Sequence, residues 1–264
     1  MPNIKYSIAL LLFAVAATAL PLTDSTPQLQ RTDANAVWSP DSSQIAFDSW
    51  RDGDGEIYTA PADGNTPVRL THQPGYDWAP VWSPDGSRIA FISQRDGNDE
   101  IYVMQADGSR PMRLTHRPGR DWQPAWSPNG AHIAFMGQDK HNNWDIFVVA
   151  SDGSWATTVQ LTHHSGRDGL PVWSPDGSRI AFVSQRDGDF EIYVMQADGS
   201  NPMRLTHRAG IDAYPSWSAD GTEIIFTAME QDGPEYISIP AGISKAANQA
   251  APRAHYAELY DGQR

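Results

Sequence analysis

Five aspartates stand five residues before five tryptophans: Asp33, Asp77, Asp121, Asp168 and Asp212 precede Trp38, Trp82, Trp126, Trp173 and Trp217. A carboxylate at one place of a repeated unit is the kind of group that gathers into a ring around a common axis. Two such charges ~8 Å apart repel by roughly 2 kcal/mol at an effective dielectric near 20, so a ring of five needs water, a basic partner or a cation. Calcium, which takes oxygen ligands, is the cation such a ring would hold in a central channel. The plainer reading is local, each Asp satisfying backbone N–H groups where a loop enters a strand. On sequence alone both readings stand.

A second set of groups surrounds the aspartates. Arg51-Asp52-Gly53, Arg95-Asp96-Gly97 and Arg186-Asp187-Gly188 recur at one place, replaced by Asp139-Lys140 in the third copy and Gln231-Asp232-Gly233 in the fifth. Segments such as Pro74-Gly75-Tyr76-Asp77-Trp78 and Pro118-Gly119-Arg120-Asp121-Trp122 lead into the aspartate positions. If these loops share a face, they present Arg95, Arg120 and Arg186 beside Trp78, Trp122 and Tyr214, suited to a protein partner or a sugar ring. The competing reading is hairpin-turn chemistry for the arginines and internal packing for the tryptophans. His72, His116, His163 and His207 also recur. They close the outermost strand of their units and should lie too far apart to share an ion.

No catalytic residue is assigned. The chain has no Gly-rich phosphate loop, no G-x-S-x-G and no H-E-x-x-H. Carboxylate pairs are abundant, so a metal-dependent lyase or hydrolase acting in the channel stays an alternative. A catalytic centre, however, usually departs from repeat symmetry, and the candidate positions here obey it.

What must position these groups is the repeat itself. From Trp82 the unit reads WSPDGSRIAFISQRDGNDEIYVMQADGSRPMRLTH, and the tryptophans are spaced 44, 44, 47 and 44 residues apart. Segments such as Arg88 to Ser93 and Glu100 to Gln105 are short, β-branched or aromatic and bounded by turn residues. Each unit therefore predicts four strands: one ending at the Trp, one around IAF, one around EIYVM and one around MRLT. Ser-Pro-Asp-Gly between the first two suits a type I turn. One four-stranded sheet cannot bury both faces alone, whereas radial stacking of five buries them, so the expected fold is an all-β, five-bladed β-propeller of four-stranded antiparallel blades.

The fifth unit lacks a good fourth strand, offering Ala246 to Ala250 there. The missing strand is expected from the other end of the chain, where Thr26 to Thr32 resembles Asn201 to His207. Pairing the two would close the ring and remove an exposed sheet edge. An incomplete six-bladed ring is the alternative.

Composition narrows the partners. The 264 residues include no Cys, which excludes disulfides and thiolate metal sites, and the net charge of −13 with no basic run argues against nucleic acid. Lys5, the apolar run from Ile8 to Ala17 and the Ala17-x-Ala19 pattern have the layout of a secretory signal peptide over residues 1–19, with no stable membrane insertion after cleavage. The expected organisation is a signal peptide at 1–19, a propeller at 26–240 and a tail at 241–264.

The W-S-P-D-G-x-x-I-A-F, x-R-D-G-x-x-E-I-Y and A-D-G-x-x-x-x-R-L-T elements, from Trp82 to Thr115 and Trp173 to Thr206, resemble the WD-like repeat of the TolB-type β-propeller family. That resemblance implies a periplasmic or secreted, non-catalytic interaction scaffold. A stand-alone propeller is expected, without the α/β domain that precedes the propeller in the family, and with five blades where its type member has six. Similar propellers occur beside peptidase domains and as metal-dependent pectate-type lyases, and a carbohydrate-binding propeller remains the second binding alternative.

Overall fold

The structure, a computed structural model, describes residues 32–154, 158–230 and 233–242. Nineteen β-strands and no helix occur among them. The first sheet holds β1 (Asp33–Trp38), β2 (Gln44–Ser49), β3 (Glu56–Pro61) and β4 (Val68–Arg69). The second holds β5 (Asp77–Trp82), β6 (Arg88–Ser93), β7 (Glu100–Gln105) and β8 (Met112–Arg113). The third holds β9 (Asp121–Trp126), β10 (His132–Gln138), β11 (Trp144–Ala150) and β12 (Val159–Gln160), and the fourth β13 (Asp168–Trp173), β14 (Arg179–Ser184), β15 (Glu191–Gln196) and β16 (Met203–Arg204). The fifth has β17 (Ile211–Trp217), β18 (Glu223–Glu230) and β19 (Gly233–Pro240).

Within each sheet every strand pairs antiparallel with its sequence neighbours, giving a meander. The five sheets are the blades of a five-bladed β-propeller, each expected strand sitting where the repeat placed it. The fifth blade has three strands among the described residues. Its expected fourth strand, Thr26 to Thr32, lies outside them except for Thr32, as do the signal-peptide segment 1–19 and the tail beyond residue 242.

The hydrophobic faces explain the stacking. In every blade the IAF-type segment places one Phe at the centre of the sheet, and Phe47, Phe91, Phe135, Phe182 and Phe226 are all fully buried. Ala46, Ile57 and Leu70 of the first blade pack on Ile89, Phe91, Tyr102 and Met104 of the second. The same interdigitation recurs between the second and third, third and fourth, and fourth and fifth blades. Burying a large apolar side chain in such a seam contributes about 2–3 kcal/mol. The tryptophans add direction. Trp82, Trp126, Trp173 and Trp217 each donate Nε1–H to an inner-strand carbonyl of the preceding blade, at Val37, Val81, Ala125 and Val172, over 3.2–3.3 Å.

Each innermost strand carries a β-bulge. In blade two Trp78 pairs with Ile92 and Val81 with Ala90, so the inner strand spends one extra residue. The residue absorbing it sits at positive φ in all five blades: Asn35, Ala79, Gln123, Leu170 and Tyr214, at 49° to 56°. A non-glycine residue there is strained by about 1 kcal/mol. The bulge lies just after the repeated aspartate and bends the strand where the loops meet it.

Candidate functional site

The repeated aspartate is the start of the innermost strand, and it is buried, not open to a channel. Asp77, Asp121, Asp168 and Asp212 are at most 3% exposed. Their backbones hook onto the preceding blade: the N–H of Asp77 donates to Gly55 O, that of Asp121 to Asp99 O and that of Asp212 to Phe190 O.

In blades one, two and four the carboxylate meets the arginine eighteen residues later. In blade two the Arg95 guanidinium lies over the Phe91 and Tyr102 rings, 5.6 and 4.7 Å from their centroids. It donates from Nε to Ser93 Oγ at 2.8 Å and from Nη2 to Asp77 Oδ2 at 2.7 Å. Blade one repeats this with Arg51 and Asp33 at 2.8 Å, and blade four with Arg186 and Asp168 at 3.0 Å. Burial raises the Asp77 and Asp168 carboxyls, and the serine and arginine contacts pull them part of the way back.

The Asp of the Arg-Asp-Gly turn belongs to a second layer. Tyr102 donates its hydroxyl to Asp96, which also accepts from Arg113 Nη1 at 3.1 Å. Arg113 Nη2 continues to Glu100 Oε1 at 2.7 Å, and Thr115 Oγ1 donates to Glu100 Oε2 at 2.6 Å. The same chain of groups links Tyr58, Asp52, Arg69, Glu56 and Thr71 in blade one, and Tyr193, Asp187, Arg204, Glu191 and Thr206 in blade four. Burial and the adjoining Asp52 push the Tyr58 hydroxyl up to about 12.

This geometry favours the local reading for three sets of these residues. The aspartates do not converge on an ion: among the described residues no group of three or more His, Asp or Glu side chains is placed to hold a metal. Asp33, Asp77, Asp121 and Asp168 instead each have a guanidinium, so the repulsion that argued for calcium is answered inside each blade. Arg95 and Arg186, expected to face a partner, are drawn inward by the same pairs and are only 13% and 15% exposed at the side chain. Trp78 and Trp122 are half-buried in the seam between blades two and three, edge to face at 5.8 Å. Trp122 also packs at 4.8 Å on Trp144 and donates Nε1–H to Asp99 at 2.8 Å.

Other expected residues do reach solvent. Arg120 is 60% exposed at the side chain, 3.8 Å from Asp99, and Tyr214 is exposed at the bulge of the fifth blade. They share the loop face with Trp50, Tyr76, Ile211 and Met229, all exposed at the strand ends that flank the aspartate positions. The four repeated histidines are exposed and follow the buried Thr of their strands, which fits their expected place on the outer edge of the blades.

Several members of these networks carry no motif that marks them in the sequence. Glu56, Glu100 and Glu191 with Arg69, Arg113 and Arg204 are hidden in the sequence because each lies inside a strand segment whose apolar pattern accounts for it. The constant thirteen-residue separation of the two was the available signal. Asp48 is hidden as well. It is fully buried, accepts from Asn35 Nδ2 and the Ala79 N–H, and has its carboxyl raised by burial. Blades two to four carry Ile92, Met136 and Val183 at its position, so it was visible as a break in the repeat.

Residues 23–169 match the TolB beta propeller domain, and residues 143–259 match the Tricorn protease N-terminal beta propeller domain. The putative TolB from Agrobacterium tumefaciens is similar at 26% identity and a TM-score of 0.66, over 79% of this chain and 77% of that one. TolB from Acinetobacter baumannii is similar at 22% identity and a TM-score of 0.62, over 80% of this chain and 51% of that one, so the chain spans about half of its length. A Mycobacterium tuberculosis puromycin-hydrolyzing peptidase is similar at 17% identity and a TM-score of 0.65, over 79% of this chain and 35% of that one, a likeness of fold alone. No curated protein matches the chain. The first of the family matches covers more than half of the sequence, and with five blades of the corresponding repeat in place, the chain belongs to the TolB beta propeller domain family.

Proposed function

We propose that the protein is a secreted or periplasmic, non-catalytic scaffold that binds a protein partner on the loop face. The observation that carries this reading is the distribution of exposed apolar side chains. Trp50, Tyr76, Ile211, Tyr214, Met229 and Tyr236 are each at least 40% exposed and stand at or near the loop-face strand ends of blades one, two and five. Surface aromatics gathered on one face are the usual anchors of a protein interface. The net charge of −13 favours a partner with basic groups around those anchors. The polar groups of this face are held in ion pairs within the blades, which supports a rigid platform more readily than a reacting centre. The leader-like pattern at Lys5, Ile8 to Ala17 and Ala19 supports export.

The test is crosslinking and affinity capture from the envelope fraction of the source cells, comparing wild type with Tyr76→Ala and Tyr214→Ala. The expected outcome is a defined protein captured by wild type and reduced about tenfold or more by each variant. Capture that both variants leave unchanged would place the interface elsewhere.

A further inference from the structure

On the face opposite the loops, the sixth residue after Trp82, Trp126 and Trp173 lies at the seam with the next blade. Arg88 of blade two crosses to blade three there. Its Nη1 donates to Ser151 O and its Nη2 to Gly130 O, both at 2.9 Å, and the guanidinium carbon lies 4.7 Å from the Trp126 ring centroid. Arg179 of blade four treats blade five in the same way, with Ala241 O at 2.7 Å, Gly221 O at 3.2 Å and the Trp217 ring at 4.6 Å. Two seams of this propeller are thus closed by an arginine held in a fork of carbonyls over an indole.

The seam between blades three and four has the receptor without the arginine. The residue in the position of Arg88 and Arg179 is His132, which is exposed. The receiving groups are all kept: Trp173 for the ring, Gly177 O and Ala197 O for the two carbonyls. Among the described residues no donor reaches either carbonyl. A pocket of about 480 Å³ opens at this place, and His132, Trp173, Gly177, Ala197, Asp176 and Asp198 line it.

Charge separates this seam from the filled ones. Where the second seam offers Asn129 and Asp152, the third offers two carboxylates, Asp176 and Asp198. Hydrogen bonds from Ser174 and Ser178 hold Asp176 down at about 2, and Ser200 lowers Asp198, so both are ionised at neutral pH.

We infer that this pocket is a guanidinium-binding site that takes an arginine side chain of a partner polypeptide, in the manner in which the neighbouring seams take Arg88 and Arg179. A planar fork of donors satisfies two separated carbonyls and stacks on an indole face, and an ammonium group does this less well. The site is on the far side of the propeller from the proposed loop-face interface, so either stands without the other.

Titration calorimetry on the full chain tests it with three probes: free arginine, a short peptide with one arginine flanked by glycine and serine, and the same peptide with lysine. The arginine peptide is expected to bind with a dissociation constant of about 1 mM or below, and the lysine peptide about tenfold more weakly. Free arginine binding as tightly as the peptide would overturn the assignment to a polypeptide side chain. His132→Arg is expected to fill the slot from within, abolishing binding and raising the melting temperature by a few degrees. Asp176→Asn, which installs the residue that blade three carries at this place, is expected to fold normally and weaken arginine binding about threefold or more. Equal binding of the lysine and arginine peptides, unchanged binding in a folded His132→Arg variant, or no binding of the arginine peptide at 10-fold above that concentration would each overturn the inference.

Discussion

Arg117 reaches Asp121 from the loop before its strand, four residues upstream, with Nη1 2.8 Å from Oδ1 and the guanidinium carbon 3.6 Å from the Phe147 ring centroid. In blades one, two and four the same carboxylate is met by an arginine eighteen residues downstream. Blade three has Asp139 at that downstream position, and it keeps the ion pair by bringing the cation from the opposite direction. The swap needs space. Where the other blades have Ser49, Ser93 and Ser184, blade three has Gly137, and a Cβ there would collide with the Arg117 guanidinium and the Asp121 carboxylate. Arg208 stands four residues before Asp212 and the small Ala228 corresponds to Gly137, so the fifth copy carries the same pattern in sequence.

Gly137→Ser should therefore be strongly destabilising by itself, by about 2–4 kcal/mol, and much less so in an Arg117→Ala background. Denaturant melts of the two single variants and the double variant measure the coupling. Additive effects would show that Gly137 and Arg117 do not share the space.

Arg95→Ala should lower stability by about 3 kcal/mol, because it leaves Asp77 buried without its cation. Arg120→Ala, at an exposed side chain, should stay within about 0.5 kcal/mol of wild type. Urea midpoints of the two variants give the comparison. Similar values would mean that the Asp77 pair is not a structural element.

Burial raises Asp121 to about 7 and Asp145 to about 6. Unfolded, such carboxyls titrate near 3.9, so between that pH and 6 to 7 the folded chain holds more protons than the unfolded one. Stability must then fall as pH rises through this window, by at most about 1.4 kcal/mol per pH unit for each group. Melts at pH 5, 6, 7 and 8 should show the decline, and Asp121→Asn should flatten its upper part. A melting temperature that climbs steadily from pH 5 to 7 would contradict the assignment.

Gln160 occupies the place held by Arg69, Arg113 and Arg204 in the other complete blades, and it donates to Asp145 at 3.1 Å. Gln160→Arg should supply the missing cation, bring the Asp145 carboxyl down and stabilise the chain at pH 8 by about 1 kcal/mol. The gain should shrink toward pH 5, where Asp145 is protonated in wild type. A gain independent of pH would point to packing instead of charge.

Calcium should leave the melting temperature unchanged to within about a degree, since the aspartates are already paired with guanidinium groups. A shift of several degrees that Asp77→Asn or Asp168→Asn removes would restore the channel cation.

The sequence by itself determined the blades. The 44-residue recurrence of Trp, IAF, EIY and RLT dictates strand number, order and pairing, because a meander joined by short turns has one economical pairing and its apolar faces bury only against the next copy. It also exposed which positions repeat, Asp77 and Arg95 among them, without saying how they meet. The eighteen-residue step from one to the other takes in two strands and a turn, and only the antiparallel register sets Asp77 opposite Ser93, beside the arginine that follows. Tertiary structure decided that the repeated charges point into the blade and cancel there. It decided likewise that His132 leaves open a seam that Arg88 and Arg179 close elsewhere, because the carbonyls and indole that receive each arginine belong to the next blade, some forty to sixty residues further along the chain.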